Sequence, residues 1–239
     1  MNASLSVFQL ILLILFALSN ISPIRLSSWT FTKDGLNRNK TLIPYNEVLP
    51  VVPELRTDQA SAELCLQTVD QRVIVSTCNL PAVAPLWQSP SDWDVEQAFF
   101  SDLNLDNEHE LALLVWRPFE PWPVDRFLPS GGRINSFHDE DDRSCHLILV
   151  NIEDGSFREL WAGSALAAPI HSLVAADLDG DGRQELAAVE YSYNDKKRTG
   201  SLVVWRWNGF GFSLAARQAG AFSYLLATQS GKNVLLLAQ

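Results

Sequence analysis

From residue 64 onward, short apolar runs alternate with clusters of Gly, Asn, Asp and Ser. The runs cover residues 64–69, 72–78, 95–100, 111–116, 145–152, 157–161, 170–176, 186–191, 201–207, 210–215, 221–227 and 233–238. Each is rich in Val, Leu, Ile and aromatic residues and is about half as long as an ordinary helix. The pattern therefore predicts strands. Residues 64–69 and 72–78 read as a hairpin turning at Asp70 and Gln71, and 221–227 pairs with 233–238 across Ser230 and Gly231.

The runs fall into a repeat. DLNLDNEHELA, from Asp102 to Ala112, returns 75 residues later as DLDGDGRQELA, from Asp177 to Ala187, with six of eleven positions identical. Each copy follows one strand and precedes three more, so each unit reads strand, acidic loop, strand, strand, strand. Four-stranded units repeated along a chain are the pattern of propeller blades. Two complete units and a half-unit at each end amount to about three blade-equivalents. The expected fold is all-β, a propeller-like array of four-stranded blades that is incomplete. On this count residues 235–237 form a terminal apolar strand with nothing to cover it, so the chain is expected either to be part of a longer ancestral protein or to complete the array by self-association. Unit one also carries a long insertion, residues 117–144, where unit two has only 192–200. Insertions in repeat proteins collect on one face, often the binding face.

The acidic loops carry the chemistry. In the second, Asp177, Asp179 and Asp181 alternate with other residues and Glu185 stands at the ninth position. Gly180 and Gly182 let the backbone curl and turn the carboxylates inward. Hard cations such as Ca²⁺ take six to eight oxygens, and the backbone carbonyl of Arg183 is placed to add one. An EF-hand is excluded because its twelfth position is Ala188 here. The first loop keeps Asp102, Asn104, Asp106 and Glu110, with Glu108 at the place of Arg183, but Leu105 and Asn107 replace both glycines. It is expected to bind Ca²⁺ more weakly; a solvated acidic turn that binds nothing is the alternative for either loop. The motif D-x-[DN]-x-D-[GN]-x-x-E-L between strands resembles the FG-GAP or VCBS-type repeats of integrin-alpha-like β-propellers, here of an exported bacterial type. Glu110 and Glu185 depart from the Asp that usually ends that loop. The resemblance covers residues 95–239 and implies bladed architecture, Ca²⁺ in the inter-strand loops and an extracytoplasmic setting.

Composition agrees with a folded, acidic domain. Of 239 residues, 47% are hydrophobic and 19% charged, with a formal net charge of −10. That sign disfavours nucleic acid and anionic lipid as partners. Residues 1–24 carry no charged side chain and include an apolar run at 10–18. The run suits a secretory signal peptide or a retained membrane anchor, starting as a hydrophobic helix, although the basic residues follow it rather than precede it. A secreted or cell-surface location follows, with the membrane touched only through this segment. Residues 25–60, rich in Ser, Asn, Lys and Pro, read as a linker, and residues 61–239 as the blades. In an oxidising setting Cys65 and Cys78 are expected to form a disulfide across the hairpin, leaving Cys145 free.

The remaining candidates are weaker. His138 and His146 flank Cys145 and an acidic run, a conceivable transition-metal site, yet scattered His residues are more often ordinary polar groups. No G-x-S-x-G or H-E-x-x-H motif occurs. Trp87, Trp93, Trp116, Trp161, Trp205 and Trp207 are expected to pack between blades, and Trp122 to stack on a ligand or simply sit in its loop. The reading is a non-enzymatic, Ca²⁺-binding module that meets a protein or glycan. The rivals are a carbohydrate-active hydrolase or lyase on a propeller scaffold and a truncated gene product.

Overall fold

The computed structural model describes residues 25–45, 64–78, 85–120, 136–153, 155–230 and 233–239. The strands within them form four small antiparallel sheets set in a ring, a four-bladed β-propeller arrangement. The first sheet joins both ends of the described chain: β1 (Arg25–Thr32) and β2 (Gly35–Pro44) lie beside β14 (Leu225–Ser230) and β15 (Asn233–Ala238), in the order β14-β15-β1-β2. The second holds β3 (Leu64–Val69), β4 (Arg72–Thr77) and β5 (Trp87–Gln88). The third runs β6 (Asp94–Ser101), β7 (Glu110–Pro118), β8 (Arg143–Glu153) and β9 (Ser156–Ala162). The fourth repeats that order with β10 (Ile170–Ala176), β11 (Glu185–Glu190), β12 (Gly200–Trp207) and β13 (Phe212–Phe222).

Blades cohere through apolar side chains between sheets rather than within them. Trp29, Phe31 and Leu236 of the first sheet meet Ala187, Val189 and Leu202 of the fourth. Ala112, Leu114, Leu147 and Leu149 of the third pack against Leu186, Ala188 and Val203 of the fourth. Val73 and Val75 of β4 complete the series against Leu111, Leu113 and Ile148. The six tryptophans expected between blades lie in or against these last two cores, and Trp29 lies in the first. Middle strands are buried on both faces, which is why β7, β8 and β11 read as continuous apolar runs. A polar clasp also joins β6 to β10: the Gln97 amide donates to the Leu173 carbonyl at 2.6 Å and accepts from its N–H at 2.8 Å.

Four expectations change. Residues 25–44 belong to the folded body, not to a linker, while residues 46–60 of the expected linker lie outside the described residues. The composition of β1 hid it, because a register shift between Ser27 and Trp29 breaks the two-residue period. With β1 and β2 included, the array is four sheets rather than three blade-equivalents. Leu235 to Leu237 are also covered: β15 pairs with β14 on one side and with β1 on the other, Trp29 opposite Leu236. The stated reason for self-association is thereby removed. Finally, the expected strand at 221–227 is divided, since β13 runs on to Phe222 and β14 begins at Leu225.

The hairpin at Asp70 and Gln71 is present, with both residues at positive φ, 48° and 60°. Cys65 and Cys78 are disulfide-bonded and Cys145 is buried and free. Cys65 pairs with Ser76 in the ladder, so the bridge spans the strands diagonally, at a Cα–Cα distance of 5.0 Å. The signal or anchor at 1–24, its hydrophobic helix, and Trp122 lie outside the described residues. Among the described residues no helix is long and apolar enough to cross a membrane.

Candidate metal centre

The two acidic loops connect β6 to β7 and β10 to β11, each leaving one strand and entering the next at its glutamate. Their backbones match. Leu105 and Asn107 take φ of 68° and 70°, where Gly180 and Gly182 take 79° and 88°. The first carboxylate of each loop holds the curl together. Asp102 accepts from the N–H groups of Asp106 and Asn107, both at 3.1 Å, and Asp177 from those of Gly180 and Gly182 at 2.8 and 3.0 Å. The ninth-position glutamates are buried and reach back to the second residue: Glu110 Oε2 accepts from Leu103 N–H at 3.2 Å and Glu185 Oε2 from Leu178 N–H at 2.9 Å.

This curl gathers carboxylates. Asp102, Asp106 and Glu110 each place an oxygen within 4.8 Å of the others, as do Asp177, Asp179 and Glu185. Both groups can hold a metal ion, and their all-oxygen donor set is that of a hard cation. Asp181 and Glu108 stand outside the two groups. Asp181 accepts from Arg183 N–H at 2.9 Å, and Asp106 from Glu108 N–H at 2.8 Å. Asn104 turns toward the loop, its Oδ1 accepting from Asp106 N–H at 3.0 Å.

The loops differ in how their charge is met. Arg206 reaches from β12 into the second loop, ion-paired to Asp179 and donating through Nε to Glu185 Oε1 at 3.0 Å. The first loop has no such partner among the described residues, and Glu110 Oε1 is buried without any hydrogen bond. Burial, reinforced by Asp106, pushes the Glu110 carboxyl up to about 8. Burial raises Glu185 too, against the opposing pull of Arg206. Arg206 escaped the sequence reading because it lies outside the motif. Its signal was a lone Arg between Trp205 and Trp207, one strand away from Glu185.

A groove opens at the opposite ends of the same strands. Two adjoining hollows of about 390 and 540 Å³ share Trp116, Asp139 and Arg198. Most of their charged side chains are paired: Asp94 with Arg143, Glu96 with Arg198, and Glu140 with Lys196. Tyr191 lies under the Arg198 guanidinium, and the edge of Tyr193 meets Trp116. His138, Cys145 and His146 form no metal group. His138 stacks on Phe119, and His146 sits between Ser144 and the Gly163 carbonyl.

No protein-family model and no curated protein matches the chain. What stands is the propeller arrangement and two acidic groups able to take a metal.

Proposed function

We propose that this chain is a calcium-binding, non-enzymatic propeller module of the FG-GAP or VCBS type, working outside the cytoplasm as a binding or surface-interaction domain. The observation that carries the reading is the duplicated loop. Two segments that share six of eleven residues adopt one curled backbone and gather carboxylates around a buried glutamate. Inward-facing carboxylates repel one another unless a cation sits among them, and a dication of calcium's size and ligand number matches the donors. The disulfide is in keeping with an oxidising destination. The groove supports ligand binding over hydrolysis or lysis: its aromatic rings offer stacking faces, and its Asp94, Glu96 and Glu140 are already held in ion pairs.

A ligand that binds only the folded state raises stability by mass action. Thermal unfolding of the purified chain with millimolar Ca²⁺ should show a higher melting temperature than in a chelator, and Asp102→Ala should blunt the rise. A melting temperature indifferent to Ca²⁺ overturns the calcium reading. Turnover of a polysaccharide by the intact chain, lost when groove carboxylates are neutralised, would favour the enzymatic rival.

A further inference from the structure

Resting on the calcium reading, we infer that the two loops are not equivalent: Arg206 is the resident cation of the second loop, and the divalent ion is taken by the first. This reverses the ranking that the glycines alone suggest.

The two loops occupy the same place in their sheets, so one register position separates them. Leu111 pairs with Val150 and Leu186 with Trp205. One step along each ladder, Glu110 stands beside Asn151 and Glu185 beside Arg206. The neighbour of the buried glutamate is neutral in one sheet and cationic in the other.

Arg206 is held for this task from both sides. Its guanidinium engages Asp179 and Glu185, whose side chains are 10% and 1% exposed. Its carbon lies 5.0 Å from the ring centroid of Phe31, a β1 residue of the neighbouring sheet. A metal ion entering the second loop would have to displace a guanidinium already bonded to two of the three gathered carboxylates. In the first loop, Glu110 is fully buried with Oε1 unpartnered, and Asn151 brings no charge to compensate. A buried carboxylate oxygen without a donor is costly, and a cation bound by Asp102, Asp106 and Glu110 removes that cost.

The test is metal stoichiometry on the intact chain, by calorimetric Ca²⁺ titration and by terbium luminescence sensitised by the tryptophans. Near-ultraviolet circular dichroism would verify that each variant is folded. The wild type should bind one ion; Glu110→Gln and Asp102→Asn should each lower its affinity at least tenfold, while Asp177→Asn should leave it within about twofold. Arg206→Met should bind two ions. If Arg206→Met does not fold, Asp177→Asn against Asp102→Asn still decides the matter. One ion lost on Asp177→Asn but kept in Asp102→Asn, two ions in the wild type, or one ion in folded Arg206→Met would each overturn the inference and leave the calcium reading standing. No ion bound by the wild type or by Arg206→Met would overturn the calcium reading itself.

Discussion

At the scale of single residues, Leu105 is the clearest departure from local preference. It sits at φ 68° where the matching position of the second loop is Gly180. An L-residue in that region costs roughly 1–2 kcal/mol, so Leu105→Gly should stabilise the chain by up to about 1 kcal/mol once the greater freedom of an unfolded glycine is deducted. Gly180→Ala should cost a comparable amount through strain alone, since an added Cβ there meets no atom within 4 Å. Urea unfolding of the two variants measures both. His146 offers a pH handle. It is 4% exposed, and burial pushes its imidazole from 6.5 down to about 4. The Gly163 carbonyl and the Ser144 hydroxyl fit a neutral ring with the proton on Nδ1. Because the folded value lies below the unfolded one, the unfolded chain binds the extra proton first as pH falls from 6.5 towards 4. Taken alone, His146 should lower stability by on the order of 3 kcal/mol across that window, the raised Glu110 carboxyl acting in the opposite sense, and His146→Gln should remove the His146 contribution from the slope. An unchanged slope in the variant would mean that another group titrates there.

At the scale of elements, the β3–β4 hairpin and its bridge were legible because every signal is local. A two-residue turn and two cysteines thirteen apart lie within a stretch of fifteen residues. Closing a loop of that length stabilises by about 3 kcal/mol in the chain-entropy view, so reduction should lower the unfolding midpoint markedly. Cys145 should survive alkylating reagents in the folded chain, because burial pushes its thiol up to about 12. Thiol counting in non-reducing denaturant should find one Cys; three would refute the bridge. The first sheet was illegible for the opposite reason. β1 pairs with β15 across the whole chain, and Ser27 Oγ donates to the Ala238 carbonyl across 211 positions. No window of sequence contains that pairing. β2 carries little buried surface and so little apolar pattern.

At the scale of the whole molecule, that long-range pairing is what makes four sheets out of three and a half. A chain lacking residues 25–44 would leave the β15 edge unpaired and uncover Leu236, which is 1% exposed. An apolar strand edge of this kind invites pairing with other chains. The truncated chain should therefore sediment as larger species or aggregate, under conditions where the full chain does so to a lesser degree. Leu236→Ala in the full chain should cost about 2–5 kcal/mol, the usual range for a buried Leu truncated in a packed core. Equal sedimentation of full and truncated chains would show that β1 and β2 are dispensable.

Residue pattern alone determined most of the strands from β3 onward, the blade repeat, the hairpin and the curled acidic loops, because each depends on neighbours within about a dozen positions. Alternating carboxylates followed by Glu and Leu announced the two oxygen clusters, and the structure gathers Asp102, Asp106 and Glu110, and Asp177, Asp179 and Glu185. Tertiary structure decided the rest. It recruited residues 25–44 through hydrogen bonds to the far end of the chain, and it set Arg206 beside Glu185 and Asn151 beside Glu110. Strand register, not spacing along the chain, chooses which side chain faces a buried carboxylate across a ladder. One loop therefore meets a guanidinium while its near-twin keeps an unpartnered oxygen.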